Sequence, residues 1–344
     1  MKLAIALLFL ATSIYAQPFT VGTAAANRGT TAYGTIEVPA ASDAATSIPV
    51  AVINGTRSGP VVAFVAGSHG TEYASIVALQ RLISRIDPKM LAGTAIVVPL
   101  VNVASFEQMT VHTNPVDRKS MNGMYPGDPN GTQTQRSLAL LADQVVKRAN
   151  TIVDLHGGDL DEDLVPYSYW MRTGNAQLDA MSRALVLAFG LDRVIVDDVD
   201  LTKPSDTRTL SGYALSLGKN VLVAEAGATG KVESQDVEAL VDGCLNVLAS
   251  QHMIERSFTP LDHPLYVGSG TRVRADAPGM WSPSVRGGAY VSEGMRLGTL
   301  TDSLGRRIKE VRAPSAGIVT FVRGVPSVWK EATLANVSPV VDVK

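Results

Sequence analysis

The sequence predicts an α/β fold: a mostly parallel or mixed sheet covered by helices on both faces, with a small all-β unit at its C-terminal end. Three observations lead there. Between residues 50 and 250, short β-branched runs alternate with helical periodicities, and those runs are continuously apolar, as in strands buried on both faces. After about residue 260 the helical stripes stop, and short β runs punctuated by Gly and Pro take over. With 344 residues, 46% of them apolar, the chain can fill such a core and is neither disordered nor collagen-like.

In chain order, Lys2 is followed by an apolar run from Leu3 to Tyr15 and then by Ala16-Gln17-Pro18. A positive start, a short apolar stretch and a small exit residue describe a secretory signal peptide over residues 1–16, cleaved after Ala16. A retained N-terminal anchor is the alternative. The expected destination is the periplasm or the outside, and the absence of Cys after the run argues against a lipid anchor. Removal of Lys2 takes the net charge from −2 to −3, with 32 acidic residues remaining. Residues 17–48, rich in Thr, Ala, Ser and Gly, read as irregular or β. Strands are expected at Val50–Ile53, Val61–Gly67, Thr94–Val101, Thr151–His156, Arg193–Val196 and Asn220–Glu225. Helices are expected at 72–86, with Ile76, Leu79, Ile83 and Ile86 on one stripe, and at 132–149, opened by a Thr132–Gln135 capping box. Asn175 caps a third, carrying Leu178, Met181 and Leu185 and ended by Gly190. A fourth, at 233–250, buries Val237, Leu240, Val241, Cys244 and Leu248. Cys244 is thus core, and as the single cysteine it excludes a disulfide framework and an all-cysteine metal site. A larger unit over 17–260 gives way near Pro260–Pro264 to a β unit over 261–344. Near-neutral charge argues against a nucleic-acid partner, and no later segment has the roughly 18 apolar residues that stable membrane insertion needs.

The chemistry-bearing residues fall at strand exits. Val61–Glu72 reads VVAFVAGSHGTE: a buried strand ends in Gly67, and His69 and Glu72 follow three apart, on one side of a first turn if a helix starts near Gly70. Thr151–Gly158 reads TIVDLHGG, a second buried strand ending in His156. In an open parallel sheet the carboxyl ends of strands border the ligand crevice, so His69, Glu72 and His156 converge from two of them. Two imidazoles, one carboxylate and an open fourth position are the donor set of a catalytic zinc site, so one zinc per chain is the expected cofactor. Asn220–Gly227, NVLVAEAG, ends a third strand in Glu225, placed to serve as general base beside the metal. Asp154 shares a strand face with His156 and is placed to accept the free N–H of a ligand histidine. Each residue alone has an ordinary reading, as a cap or a core polar group. Jointly they would be costly, because buried strand ends penalise unpaired charge.

The motifs occur in order: His69-Gly-Thr-Glu72, then Asn122 ahead of Pro126-Gly127-Asp128-Pro129-Asn130-Gly131-Thr132, then Asp154-Leu-His156-Gly-Gly-Asp159, then Glu225-Ala-Gly227. This series resembles the succinylglutamate desuccinylase/aspartoacylase family, which is related to the zinc carboxypeptidases. The resemblance covers about residues 50–250, and the C-terminal unit is similar to the small β domain that family members carry. It implies a zinc carboxypeptidase-like fold and hydrolysis of an amide or ester bond in a small molecule such as an N-acyl amino acid. It also implies zinc on His69, Glu72 and His156, with Glu225 as the base.

The chain departs from the family in two places. Relatives read Asn-Arg-x-Phe-Pro-Gly where this chain has Asn122-Gly123-Met124-Tyr125-Pro126-Gly127. Gly123 cannot supply the bidentate grip of an Arg on a substrate carboxylate, which points to a substrate lacking that group. Where relatives carry an oxyanion-stabilising Arg three residues ahead of a Pro, this chain has His112 ahead of Pro115. Arg118 is a displaced replacement or, with Lys119, a solvated loop charge. His112, Arg118 and Asn122 are therefore the candidate substrate contacts. The acidic stretch Asp159-Leu-Asp161-Glu162-Asp163 either favours a cationic substrate at the crevice rim or is a solvated loop. Two other functions stay open: a carboxypeptidase-type peptidase, weakened by Gly123, and a zinc-holding binding protein on an inactive hydrolase scaffold.

Overall fold

The computed structural model describes residues 17–343, so the leader expected at 1–16 lies outside the described residues. A hairpin, β1 (Phe19–Val21) and β2 (Ala24–Ala26), precedes the antiparallel pair β3 (Thr30–Val38) and β4 (Thr46–Asn54). Strand β5 (Arg57–Ala66) crosses over through helix α1 (Tyr73–Arg85) to the parallel strand β6 (Ala92–Val98). Helices α2 (Val103–Gln108) and α3 (Gln133–Leu141) come before β7 (Thr151–His156), and α3 widens into a π turn over Ala142–Val146. The expected capping box opens α3, with Gln135 Oε1 accepting the Thr132 N–H at 3.2 Å. Then follow β8 (Glu162–Leu164), β9 (Tyr167–Arg172), α4 (Ala176–Phe189), β10 (Arg193–Asp198), α5 (Pro204–Thr207) and α6 (Leu210–Ser216). Strand β11 (Asn220–Glu225), α7 (Ser234–Ser250) and β12 (Leu265–Val267) complete the larger unit. Among the described residues no helix is long and apolar enough to cross a membrane.

Nine strands pair in the order β12-β10-β9-β11-β7-β5-β6-β4-β3. The central run β11-β7-β5-β6 is parallel, whereas β9 joins β11, and β4 joins β6, antiparallel. The sheet is mixed, with helices on both faces. Period-two alternation divides each strand between two cores. Val62, Phe64, Val153, Leu155, Leu222 and Ala224 pack into one core with α1, α4 and α7, which also holds Cys244. Ala63, Val65, Ile152, Val221 and Val223 face the other, with the β1–β2 hairpin, α3 and α6. The same alternation turns Asp154, His156 and Glu225 toward this second face. Register sets Glu225 beside His156 and Val223 beside Asp154.

The C-terminal unit holds β13 (Thr271–Arg274), β14 (Gly279–Pro283), β15 (Tyr290–Val291), β16 (Arg296–Thr301), β17 (Arg307–Arg312), β18 (Gly317–Arg323), β19 (Ser327–Val328) and β20 (Thr333–Ser338). They form two antiparallel sheets, β13-β20-β18-β15 and β17-β16-β14-β19, around a core that includes Trp281, Leu297, Val319 and Leu334. Leu265–Val267, expected to lie in this unit, instead pairs in parallel with β10 as the edge of the large sheet. Conversely β8, from the acidic stretch after His156, pairs with β18 of the C-terminal unit. The two parts of the chain thus exchange strands.

Arg136 of α3 is 2% exposed, pairs with Asp43 at 2.7 Å and donates to the carbonyls of Pro39, Gly131 and Ala44. It ties α3 to the β3–β4 connection. Replacing it strands Asp43 and three carbonyls, so Arg136→Met is expected to cost about 3–5 kcal/mol in urea unfolding with an unchanged slope. A loss under about 1 kcal/mol would show that the ion pair contributes little.

Candidate active site

Strand β5 hands over to α1 through Gly67–Glu72. His69 O accepts the Glu72 N–H at 3.3 Å, and α1 begins only at Tyr73, with Glu72 as its N-cap residue. His69 and Glu72 therefore lie on a turn ahead of the helix, not on its first turn as their spacing suggested. The turn is held by α2: the Gly70 N–H donates to Ser105 Oγ at 3.0 Å, and Asn102 Nδ2 donates to Ser68 O at 3.3 Å. A Cβ at Gly70 would lie 2.3 Å from the backbone nitrogen of Phe106, so no side chain fits unless the turn moves. Gly70→Ala is expected to weaken divalent-metal affinity about 10–100-fold in a chelator competition, the usual cost of losing ligand support. Unchanged affinity would mean that α2 does not set the turn.

One ligand atom from each of His69, Glu72 and His156 lies within 4.8 Å of the other two, and all three residues are buried. His156 Nδ1 is 2.9 Å from Glu72 Oε2, and its Nε2 is 3.2 Å from Asp154 Oδ1. Asp154 thus lies on the side of the ring away from Glu72, the arrangement of a carboxylate that orients a ligand imidazole. His69 Nδ1 is buried without a hydrogen-bond partner, while His69 Nε2 lies 3.0 Å from Asn122 Nδ2. A half-turn of the Asn122 amide presents its oxygen to an Nε2–H and leaves the Nδ1 lone pair for a cation. An orphaned nitrogen, an imidazole and a carboxylate at this spacing fit a zinc ion.

The electrostatics fit a cation as well. Burial, then the neighbouring His156 and His112, hold His69 down at about 4, so it is neutral and can donate a lone pair near pH 7. Burial works against protonation of His156, but Asp154 and Glu72 outweigh it and raise this imidazole well above its usual value. Burial pushes the Glu225 carboxyl well up, opposed by His156 and reinforced by Glu72, Glu162 and Asp154. Burial likewise raises Glu162 to about 7. The raised carboxyl groups of Glu72, Glu162 and Glu225 mark a buried acidic cluster whose ionised forms a divalent ion would favour.

These residues line a cavity of about 850 Å³ between the carboxyl ends of the large sheet and the C-terminal unit. Asn122 borders it beside His69. His112 also borders it, with Nδ1 3.2 Å from Asp159 and Nε2 3.1 Å from Asp161. Its hydrogen bond to Asp161, opposed by burial and reinforced by the charges of Glu162 and Asp159, lifts it to about 9. A raised imidazole stabilises the fold fully below its unfolded value near 6.5, and that contribution fades as pH climbs through about 9. Denaturation midpoints from pH 6 to 10 should therefore fall more steeply for the wild type than for His112→Gln. Parallel profiles would contradict the pairing. Asp159 and Asp161 are buried, with Asp159 accepting from Thr71 Oγ1 and Asp161 from Arg323, so these two are interior, whereas Glu162 of the same stretch lines the cavity. Arg118 is exposed on a turn and does not line the cavity, nor do His252 and His263. A Cβ at Gly123 would meet nothing within 4 Å, so open space adjoins the position that carries Arg in relatives.

Other cavity residues had escaped sequence reasoning. Tyr167 lies across from Glu225 in the β9–β11 register and packs edge-on against Tyr169, with ring centroids 5.4 Å apart. The alternation Tyr167, Tyr169, Met171 was the available signal. Arg272, Arg274 and Arg323 reach the cavity from the C-terminal unit, and nothing local in the sequence marks them.

The sequence profile of the succinylglutamate desuccinylase/aspartoacylase catalytic domain matches residues 58–251. The chain is 25% identical over 321 residues to an N-alpha-acetyl-L-2,4-diaminobutyric acid deacetylase of Halomonas elongata, covering 90% of this chain and 92% of that protein. Its fold is similar to that of a succinylglutamate desuccinylase/aspartoacylase from Rhodobacter sphaeroides, with TM-score 0.80, 25% identity, and 91% and 96% of the two chains covered. It is also similar to the product-bound ectoine utilization protein EutE (DoeB) of Ruegeria pomeroyi, with TM-score 0.82, 23% identity, and 91% and 96% covered. With more than half of its length matched and the fold shared almost end to end, the chain belongs to the succinylglutamate desuccinylase/aspartoacylase family.

Proposed function

We propose that the protein is a zinc-dependent deacylase that hydrolyses the amide bond of a small N-acyl amino acid, with Glu225 as general base. The observation that carries this reading is the convergence of His69, Glu72 and His156 with Glu225 in register beside His156. The name of the Halomonas elongata relative, a deacetylase of an acetylated amino acid, supports the substrate class. Zinc held by His69, Glu72 and His156 would supply Lewis acidity toward a carbonyl oxygen and acidify water nearby. Asp154 and Asn122 orient the two imidazoles. Glu225 accepts the proton of the attacking water and passes it to the leaving nitrogen, so that a carboxylate and an amine are released. The apolar sides of Val223, Tyr167 and Leu164 narrow the water around the reacting carbonyl.

Turnover of a panel of N-acetyl amino acids, their carboxamides and short peptides by zinc-loaded protein tests the reading. Release of acetate and amino acid at a rate that depends on Glu225 is expected. Turnover confined to peptides would favour the peptidase, and saturable binding without turnover would favour an inactive scaffold. Export rests on residues 1–16 alone, and mass spectrometry of protein from its native host should find Gln17 as the first residue. A chain retaining Met1 would overturn cleavage after Ala16 and favour the retained anchor.

A further inference from the structure

Six of the residues that close the cavity from the C-terminal side project from one face of one sheet. Register aligns Arg272 of β13 with Asn336 of β20, and Asn336 with Phe321 of β18. In the next row Arg274 pairs with Thr333, whose carbonyl accepts from Arg323 Nε at 3.0 Å. All of these line the cavity, while Val273, Val322 and Ala335, which alternate with them, pack into the core of the C-terminal unit. Three guanidinium groups thus face the metal ligands across about 850 Å³ of space.

They differ in what they already hold. Arg323, 5% exposed, donates to Asp161 and to Thr333 O, and stacks over the Trp329 ring at 4.8 Å. It is fully engaged. Arg274 gives Nη1 to Glu331 O at 2.9 Å and keeps its other nitrogens. Arg272 makes neither a hydrogen bond nor an ion pair among the described residues, although it stands in the cavity wall. Its charge is felt at Tyr169 in the same cavity: burial and Glu225 push that phenol up, and Arg272 offsets part of the rise. Asp197, Asp198, Asp206 and Glu331 also line the cavity, and Glu162 of β8 stands beside Arg323 in the sheet, so Arg272 is the guanidinium that no described carboxylate or carbonyl holds. A carboxylate entering with its acyl group toward His69, Glu72 and His156 therefore finds its complement at β13.

We infer that Arg272, with Arg274 beside it, binds the free carboxylate of an N-acyl amino acid and takes over the task that Gly123 cannot perform, an assignment that rests on the deacylase reading. It reverses the expectation, drawn from Gly123, of a substrate without a carboxylate. A guanidinium fork matches a carboxylate bidentately, and Arg118 is not among the residues that line the cavity.

The test compares an N-acetyl amino acid with its carboxamide, which differs only in that charge, on zinc-loaded wild type, Arg272→Gln and Arg272→Lys. The wild type should prefer the free acid in kcat/KM by about 10–100-fold, the range for hydrogen bonds to a charged group. Arg272→Gln should erase that preference through a higher KM for the acid, with kcat changed less than about threefold. Arg272→Lys should restore part of it, since charge remains and the fork is lost. Arg307→Gln, on β17 away from the cavity, should leave the preference at its wild-type value. A wild type indifferent to the charge, or an Arg272→Gln that slows acid and carboxamide alike, overturns the assignment. If the wild type hydrolyses neither compound, the deacylase reading fails by itself. Calorimetric binding of acid against carboxamide then decides the subsite: tighter acid binding lost in Arg272→Gln supports it, and equal binding overturns it.

Discussion

Glu225→Gln is expected to lower kcat by about 10²–10⁴-fold while zinc content stays at one per chain. The amide matches the carboxylate in size but cannot accept a proton, and Glu225 is not among the three residues whose ligand atoms converge. Folding stability should hold or rise. Burial, Glu72, Glu162 and Asp154 all disfavour the ionised carboxylate at this position, so a neutral amide relieves a cost that the wild type carries. The sign follows from linkage: a carboxyl raised in the folded state subtracts stability above its unfolded value near 4.3. The variant should therefore gain most, relative to wild type, at neutral and alkaline pH. Near-wild-type turnover would remove Glu225 as the base. Zinc loss would instead make it a fourth ligand and close the site, as in a structural metal centre.

His156→Ala should release nearly all of the zinc and reduce turnover to background, a larger effect than that of His69→Ala. His156 joins both halves of the site, facing Glu72 through Nδ1 and Asp154 through Nε2. Its removal takes a candidate metal ligand and leaves two buried carboxyl groups without their shared cation. Breaking such a pair from one side costs about 3–5 kcal/mol, so metal-free His156→Ala should also unfold at lower urea. His156→Gln keeps a polar contact to both carboxyl groups and separates the two effects: stability partly returns, zinc does not. Elemental analysis of dialysed protein reads the first, urea titration the second. Retention of stoichiometric zinc by both variants would place the metal elsewhere.

The converging residues were legible because they end, or closely follow, strands that announce themselves. Val61–Ala66, Thr151–His156 and Asn220–Glu225 are apolar runs whose alternation fixes faces, and a charged residue at the end of such a run needs a reason. The helix positions of α1, α4 and α7 followed from their stripes in the same way. What covers the ends of those strands was not legible. Helix α2, six residues long, is too short to show a period, yet Asn102 and Ser105 hold the turn that carries His69. Strand β9 inserts antiparallel between β10 and β11, and local pattern does not report strand order. The three arginines are separated by long stretches of chain from the residues they face. The resemblance around Gly123 therefore implied a missing cation, while the arginines that line the cavity come from elsewhere in the chain.

The exchange of β8 and β12 between the two parts has a consequence for how the protein comes into being. Asp161 meets Arg323 across 162 residues of sequence, and β8 finds its partner only in β18. A nascent chain emerging from the ribosome can close the central sheet and bring His69, Glu72 and His156 together well before β18 exists. Until then Asp161 has no guanidinium and His112 loses the carboxylate that Arg323 fixes, so one wall of the cavity is absent. Such distant pairing is the slow part of folding, because loop closure must precede any reward. Activity should thus appear during synthesis or refolding as a late event, after metal capacity, and a chain ended at residue 260 should bind metal without gaining a substrate pocket. Neither part is a separable cassette; the catalytic chamber is a property of the finished polypeptide.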